Sequence, residues 1–289
     1  MEHIQITGRT QLTALLGSPV AHSISPLMHN EAFSQLGLDY VYLCFDVKED
    51  ALETAVNGLK AAGIRGFNLT MPNKNRMAQL ADRLSPAARL LGAVNTVVNE
   101  NGVLTGYNTD GIGYMRSVQD AGYDIIGKTI TIMGAGGAAS AICAQAALDG
   151  VRKIHLFARP TSRFWARTVQ LADTITRTTS CQALLHEHQD QTALKDALSE
   201  SALLVNATSV GMAPNTEGTI LPDTSLLHPD LIVSDIIYNP RETRLLAEAK
   251  AAGCRTFNGM YMLLYQGAEA FRLWTGREMP VDVIKEKYF

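Results

Sequence analysis

Along most of the chain, short runs of apolar and β-branched residues alternate with stretches whose apolar positions recur every three or four residues. The first pattern is that of strands buried on both faces, the second that of helices laid against them. Their alternation predicts parallel sheets with crossover helices. A strand is predicted near residues 12–16. A helix follows, with Ser25 as N-cap, Pro26 at the first helical position, Met28, Ala32 and Leu36 at fourfold spacing, and Gly37 beyond. Asp50 opens a second helix with Leu52, Val56 and Leu59 on one side and Gly63 at its end, and a strand over 66–70 comes next.

The pattern shifts past residue 110. A helical stretch (GIGYMRSVQDAG) leads into TITIMGAGGAASAICAQAAL, which reads as strand, glycine turn and helix. Further strands are predicted over 153–157, 203–206 and 231–235, and the tail beyond Gly259 is helical, with Leu264, Ala268 and Phe271 repeating. The predicted fold class is α/β in two domains. Residues 1–109, completed by C-terminal helices over 260–289, form an α/β domain with a mostly parallel sheet, and residues 110–259 form a doubly wound Rossmann-type domain.

Length agrees, since 289 residues at roughly 150 per domain give two cores. A net charge of −3 lacks the basic excess that grips phosphate backbones, so nucleic acid is not an expected partner. Cys44, Cys143, Cys181 and Cys254 make no CxxC pair and no metal-ligand spacing, which suits a reducing compartment and predicts no metal. The start, MEHIQITGRTQLTALLG, has no basic and apolar signal pattern. Residues 129–148 carry no charge, but their glycines, threonines and serine suit a buried sheet rather than a membrane span. A cytoplasmic protein acting on a small molecule is expected, as monomer or homodimer.

Within GAGGAA, Gly134, Gly136 and Ala139 occupy the small-residue positions of a dinucleotide fingerprint, after a strand and before a helix. Glycines there let backbone N–H groups approach a pyrophosphate, and the helix start adds partial positive charge. About 20 residues on, where NAD sites place an acid for the ribose 2′-OH, the chain reads FARPTSR. Arg159 and Arg163 offer positive charge where a 2′-phosphate would lie, so NADP is favoured and NAD is the alternative.

In the first domain, Ser23 and Ser25 stand two apart, and if the segment is extended both hydroxyls face one side, a pairing suited to a carboxylate. Asn68 and Thr70 repeat the spacing in FNLTMPNK, where Pro72 ends the strand ahead of Lys74, and Asn95 and Asp110 add an amide and a carboxylate. Singly, each also fits a bland role: Ser25 as a cap, Asn95 and Asp110 as turn or cap formers, Lys74 as a solvated charge. Seven histidines are present (His3, His22, His29, His155, His186, His188, His228), none in a ligand pattern, and His186 and His188 are expected on a polar surface segment.

From GSPVAHSISPLMHN through NLTMPNK, GAVNT, GYNTDG, GAGGAA, NATSVGM and DIIYNP to YMLLYQGAEAFRLWTG, the chain resembles the shikimate dehydrogenase family, and specifically its quinate/shikimate dehydrogenase branch. The resemblance implies hydride transfer between 3-dehydroshikimate and shikimate with a nicotinamide cofactor, in the chemistry of aromatic amino-acid biosynthesis. It implies that Ser23, Ser25, Asn68 and Thr70 hold the substrate's carboxylate region, that Asn95, Asp110 and Gln266 surround its ring hydroxyls, and that Lys74 and Asp110 are the catalytic pair. Gly134, Ala135, Gly136, Gly137 and Ala138 would cradle the pyrophosphate. Asn206, Thr208, Met212 and Gly259 would approach the cofactor, and Tyr238 the nicotinamide and substrate.

Two departures stand out. The family's NADP version commonly reads Asn-Arg-Thr where this chain has Ala158, Arg159 and Pro160, and the acid of the NAD-tolerant branch is absent too. The competing readings are a quinate/shikimate dehydrogenase using NAD, a non-turnover sensor of the same fold, and another NADP dehydrogenase such as one acting on a folate. Intact Lys74 and Asp110 speak against the sensor, the serine pair and NLTMPNK against the folate enzyme.

Overall fold

The structure, a computed structural model, describes residues 6–221 and 223–289; His3 falls outside them. The chain divides into two compact units, one running to Thr109 and resuming over Leu264–Phe289, the other spanning Asp110–Leu263.

The first unit holds β1 (Gln11–Gly17), α1 (Ser25–Gln35), β2 (Tyr40–Asp46), α2 (Leu52–Ala61), β3 (Gly66–Leu69), α3 (Lys74–Leu80), β4 (Arg83–Leu84), α4 (Pro86–Leu91), β5 (Thr96–Glu100) and β6 (Val103–Tyr107). Its sheet runs β2-β1-β3-β5-β6-β4. β1 is parallel to β2 and β3, β4 is parallel to β6, and β5 is antiparallel to both of its neighbours. The central β1 is apolar throughout because it is covered on both faces, with Ala14 and Leu16 fully buried. One face carries Leu52 and Val56 of α2 with Phe67, Leu69 and Met77, and the other carries α1 and the C-terminal helices.

Helix α1 begins one residue earlier than its sequence suggests. Ile24 is the N-cap, Ser25 is the first helical residue, and the Ser25 N–H donates to Ser23 Oγ at 3.2 Å. Segment 23–25 is therefore a turn entering a helix, not an extended pair, because Ile24 already has helical dihedrals.

The second unit comprises α5 (Asp110–Asp120), β7 (Thr129–Met133), α6 (Gly137–Asp149), β8 (Lys153–Ala158), α7 (Trp165–Thr178), β9 (Gln182–Glu187), α8 (Gln191–Glu200), β10 (Leu203–Asn206), β11 (Ile232–Asp235), α9 (Arg244–Ala251) and β12 (Arg255–Asn258). Its strands pair in parallel in the order β12-β11-β10-β7-β8-β9. The chain starts in the middle, winds outward to β9, then returns to lay β10 on the other side of β7, which is the doubly wound order. His186 lies on β9, half-buried, with its ring stacked on Phe157 at 4.8 Å and on His155 at 5.1 Å. The expected polar surface segment is thus an edge strand whose inward side is covered.

Two helices close the chain, α10 (Met260–Thr275) and α11 (Val281–Tyr288). Leu264, Ala268 and Phe271 of α10 are fully buried in the core of the first unit. Among the described residues, no helix is long and apolar enough to cross a membrane, and no His, Cys, Asp and Glu cluster could hold a metal ion.

Candidate active site

In the second unit, neighbouring strands lead away from β7 in opposite directions, to β8 on one side and β10 on the other. Such a switch point leaves a crevice at the carboxyl ends of the strands, and the turn from β7 to α6 opens into it. Gly134 has φ +129°, and a Cβ there would lie 2.7 Å from Ala207 O. Gly136 is the N-cap of α6, and no side chain caps the helix or places an acid in its first turn. Cβ atoms built on Gly136 or Gly137 would meet nothing within 4 Å. Packing therefore does not require those two glycines, while the space they leave, at an uncapped and electropositive helix start, fits a pyrophosphate.

The turn forms one wall of a groove of about 1320 Å³ lined also by Arg159, Arg163, Thr208, Met212 and Tyr238. The Arg163 guanidinium lies over the Phe164 ring at 4.7 Å, which steadies a charge that would otherwise be free in solvent. These residues, with Ala135 and Ala138, stand where a dinucleotide would run. Asn206 and Gly259 are set back. Asn206 is fully buried, with its Nδ2 donating to Val210 O (3.1 Å) and Asp235 Oδ2 (3.0 Å) and its Oδ1 accepting from Thr208 N and Oγ1. Its amide is committed to shaping the loop that presents Thr208 and Met212. Gly259 admits the Ile236 carbonyl, which would overlap any Cβ.

Sequence reasoning missed Asp235, a fully buried carboxylate. It accepts from Ile237 N, Asn206 Nδ2 and Thr243 Oγ1. Burial pushes its pKa up against those three bonds. It ties the loop after β10 to the loop after β11, which carries Tyr238. The motif DIIYNP contains it, but nothing in the spacing says that its carboxylate turns inward.

In the first unit, strand register assembles the other polar set. Leu15 of β1 pairs with Cys44 on one side and Asn68 on the other, and Asn68 pairs with Thr96. Tyr42 Oη donates to Asn68 Oδ1 at 2.8 Å, and Asn68 Nδ2 donates to Thr96 Oγ1 and Asn95 O. Asn95 Oδ1 accepts from Thr109 N at 2.7 Å, which fixes the orientation of that amide, since a backbone N–H can only donate. Ser25 hydrogen-bonds Tyr42, whose pKa burial pushes well up, and Ser23 hydrogen-bonds the Cys44 thiol. Ser23, Ser25, Asn68 and Asn95 therefore converge through Tyr42, Cys44, Thr96 and Thr109; Thr96 and Thr109 lie within GAVNT and GYNTDG, but the sequence reading singled out none of the four.

Thr70 lies just past β3, two residues from Asn68, and its carbonyl accepts from Asn73 N to start the turn into α3. Lys74 is the first residue of α3 and half-buried, and its carbonyl accepts from Val94 N at 2.9 Å, next to Asn95. An ammonium at a helix start opposes the helix dipole, so the electrostatics of α3 itself do not favour a cation at this position. Gln266 is half-buried on α10, beside Gly267, which packs against Met28 and His29 of α1. Asp110 follows Thr109 directly and opens α5 in the second unit, to which Tyr238 also belongs.

A doubly wound sheet with an open glycine cradle, joined to a second α/β unit rich in convergent hydroxyls and amides, defines a dinucleotide-binding protein of two units. Residues 15–97 match the family model "Shikimate dehydrogenase substrate binding domain", and residues 259–287 match "Shikimate 5'-dehydrogenase C-terminal domain". A shikimate dehydrogenase (NADP(+)) of Listeria innocua is 53% identical over 285 residues, covering 99% of this chain and 98% of the relative. The crystal structure of shikimate 5-dehydrogenase from Listeria monocytogenes, in complex with shikimate and NAD, superposes with a TM-score of 0.96 at 53% identity, covering 99% of this chain and 98% of that one. Quinate dehydrogenase from Corynebacterium glutamicum, in complex with NAD, gives 0.83 at 32% identity, covering 96% and 98%. The chain belongs to the shikimate dehydrogenase family.

Proposed function

We propose that this chain is an NADP-dependent shikimate dehydrogenase that interconverts 3-dehydroshikimate and shikimate. The observation that carries the reading is its 53% identity, over nearly its full length, to a shikimate dehydrogenase (NADP(+)). The open cradle at Gly136 and Gly137 supports it by fitting the cofactor's pyrophosphate. On this reading the first unit binds substrate and the second binds cofactor. Four cysteines without a disulfide suit a cytoplasmic enzyme.

Bound NADPH supplies the hydride that reduces the ketone carbon. The chain must supply a proton for the developing alkoxide. Lys74 does so, because its ammonium donates a charge-assisted hydrogen bond that strengthens as negative charge grows on the oxygen and so favours the transition state over the ground state. Asp110, the other member of the proposed catalytic pair, accepts from a ring hydroxyl. Ser23, Ser25, Asn68 and Thr70 hold the carboxylate region, and Asn95 and Gln266 the remaining hydroxyls. Gly134, Ala135, Gly136, Gly137, Ala138, Arg159, Arg163, Thr208 and Met212 hold the cofactor, Tyr238 approaches the nicotinamide side and substrate, and Asn206 and Gly259 support from behind.

The test is a two-by-two steady-state comparison of shikimate and quinate with NADP and NAD. Shikimate with NADP is expected to give the highest kcat/KM. The NAD and quinate pairings remain the second reading, favoured by the likeness to quinate dehydrogenase in complex with NAD. Lys74→Ala should lower kcat by a factor on the order of 10² or more with shikimate binding retained. Near-normal turnover in that variant would remove Lys74 from the chemistry.

A further inference from the structure

Beneath the groove lies a carboxylate that a molecule in the groove would not touch. Asp235 ends β11, is fully buried and takes no part in the groove's lining, yet its hydrogen bonds lead into that lining. Its Oδ2 accepts from Asn206 Nδ2 (3.0 Å) and Thr243 Oγ1 (2.7 Å), and its Oδ1 accepts from Ile237 N (3.0 Å). Asn206 passes the hold to the loop after β10: its Nδ2 also donates to Val210 O, and its Oδ1 accepts from Thr208 N and Thr208 Oγ1. Ile237 passes it to the loop after β11, one residue before Tyr238. Thr243 caps α9 by accepting from Leu246 N, and so anchors the carboxylate from behind. Two backbone bonds join the same loops, Ile236 N to Asn206 O at 3.0 Å and Ala213 N to Asn239 O at 3.1 Å. Between them Thr208, Val210, Ile237 and Tyr238 line the groove, and Asp235 is the group through which both sets are held.

Strand order says which half of a dinucleotide these loops meet. With the pyrophosphate at the turn from β7 to α6, the adenosine ribose lies at the end of β8, and the nicotinamide half lies across the switch point, over the ends of β10 and β11. Arg159 and Arg163 stand at the first end of the groove, Thr208, Met212 and Tyr238 at the second. The bonds of Asp235 reach the second end and not the first. Hydride transfer depends on ring placement to a fraction of an ångström, and a residue behind a site sets that placement by fixing the residues that touch the ligand.

We infer that Asp235 is a positioning residue for hydride transfer, holding the loops after β10 and β11 in the one arrangement that seats the nicotinamide. The inference rests on the proposed function and on the reading of this groove as the cofactor site. The test compares the wild type with Asp235→Asn by two measurements. One is kcat at saturating shikimate and NADP. The other is the calorimetric dissociation constant of adenosine 2′,5′-bisphosphate, a fragment with the phosphorylated adenosine half and no nicotinamide. The amide keeps an acceptor for Ile237 N but turns a donor toward Asn206 Nδ2, which opens the link between the loops. The expected fall in kcat is on the order of 10²-fold, the effect of moving reacting atoms by about 1 Å. Fragment affinity should stay within about twofold, because its contacts lie at the cradle and β8, apart from the loops that Asp235 holds. Should Asp235→Asn not fold, Thr243→Val removes one bond to the carboxylate and carries the same test, with kcat down about fivefold. An unchanged kcat, or a fragment affinity lost in step with kcat, overturns the inference. A wild type that binds neither NADP nor the fragment overturns the groove assignment, and one that binds both without oxidising shikimate overturns the proposed function; either takes the inference with it.

Discussion

A glycine in a phosphate-binding turn answers either to its own protein or to its ligand, and this turn contains one of each. Gly134 is held at φ +129° with Ala207 O only 2.7 Å from where a Cβ would sit. That carbonyl cannot retreat freely, because Ala207 N donates to Met133 O at 2.8 Å. Gly134→Ala should therefore cost on the order of 2–4 kcal/mol of stability, from backbone strain and overlap together. Gly136 has an ordinary extended φ of −74° and open space around its Cβ. Gly136→Ala should keep stability within about 1 kcal/mol and raise the NADP dissociation constant at least tenfold, because the methyl takes the pyrophosphate's place. Thermal melts and calorimetry on the two variants separate these roles. A wild-type NADP affinity in Gly136→Ala would mean that the turn is only a joint between strand and helix.

Among the elements, α10 shows how much of the packing is readable from periodicity and where that reading stops. Its buried stripe of Leu264, Ala268 and Phe271 was legible, because apolar side chains at helical spacing leave few alternatives. What was not legible is the way the helix docks. The Trp274 indole N–H donates to Val97 O on β5 at 2.9 Å, and the Arg65 guanidinium donates to Trp274 O at 2.8 Å. Gly66 on β3 makes room for the ring: a Cβ there would lie 2.3 Å from Trp274 Nε1 and 2.4 Å from Val97 O. These partners are remote in sequence, and nothing local marks Gly66 as anything but a weak strand residue. Gly66→Ala should destabilise the chain by about 2–4 kcal/mol, as overpacking into rigid neighbours does. It should also raise the KM for shikimate, since Asn68 lies two residues along the same strand. Urea unfolding and steady-state kinetics check both. The start of α1 was misplaced for a related reason: the hydroxyl that receives the Ser25 N–H belongs to Ser23. Strands β9 and β12 went unanticipated because they are the sheet's edges and carry weak apolar alternation.

Across the whole molecule, the unit built by local rules was the readable one. Strand, glycine turn and helix lie within one stretch of chain, so the doubly wound unit followed from GAGGAA and its flanks, whereas the polar set of the first unit is joined sideways, strand to strand, through Tyr42, Thr96 and Thr109. The same unit hides an ionisable group that sets how the molecule responds to acid. His29 is fully buried, its ring stacked on Tyr42 at 4.5 Å, and neither ring nitrogen has a hydrogen-bond partner. Burial lowers its pKa from 6.5 to about 3. As pH falls below 6.5 the unfolded chain gains a proton there that the folded chain refuses, so stability declines, by up to about 1.4 kcal/mol per pH unit. The decline continues until pH nears the folded value of about 3. Glu31, Asp82 and Glu200 have pKa values held down by their partners, so their stabilisation is present at neutral pH and is lost only as pH falls through the carboxylate range. His186 is also lowered, by burial and by His155, and adds to the loss in the histidine window. His29→Phe removes the first contribution and keeps the second. Urea midpoints at pH 7, 6 and 5 should therefore fall more steeply for the wild type than for His29→Phe, whatever the variant's stability at pH 7. Parallel slopes would show that the imidazole takes up a proton inside the fold as readily as outside it.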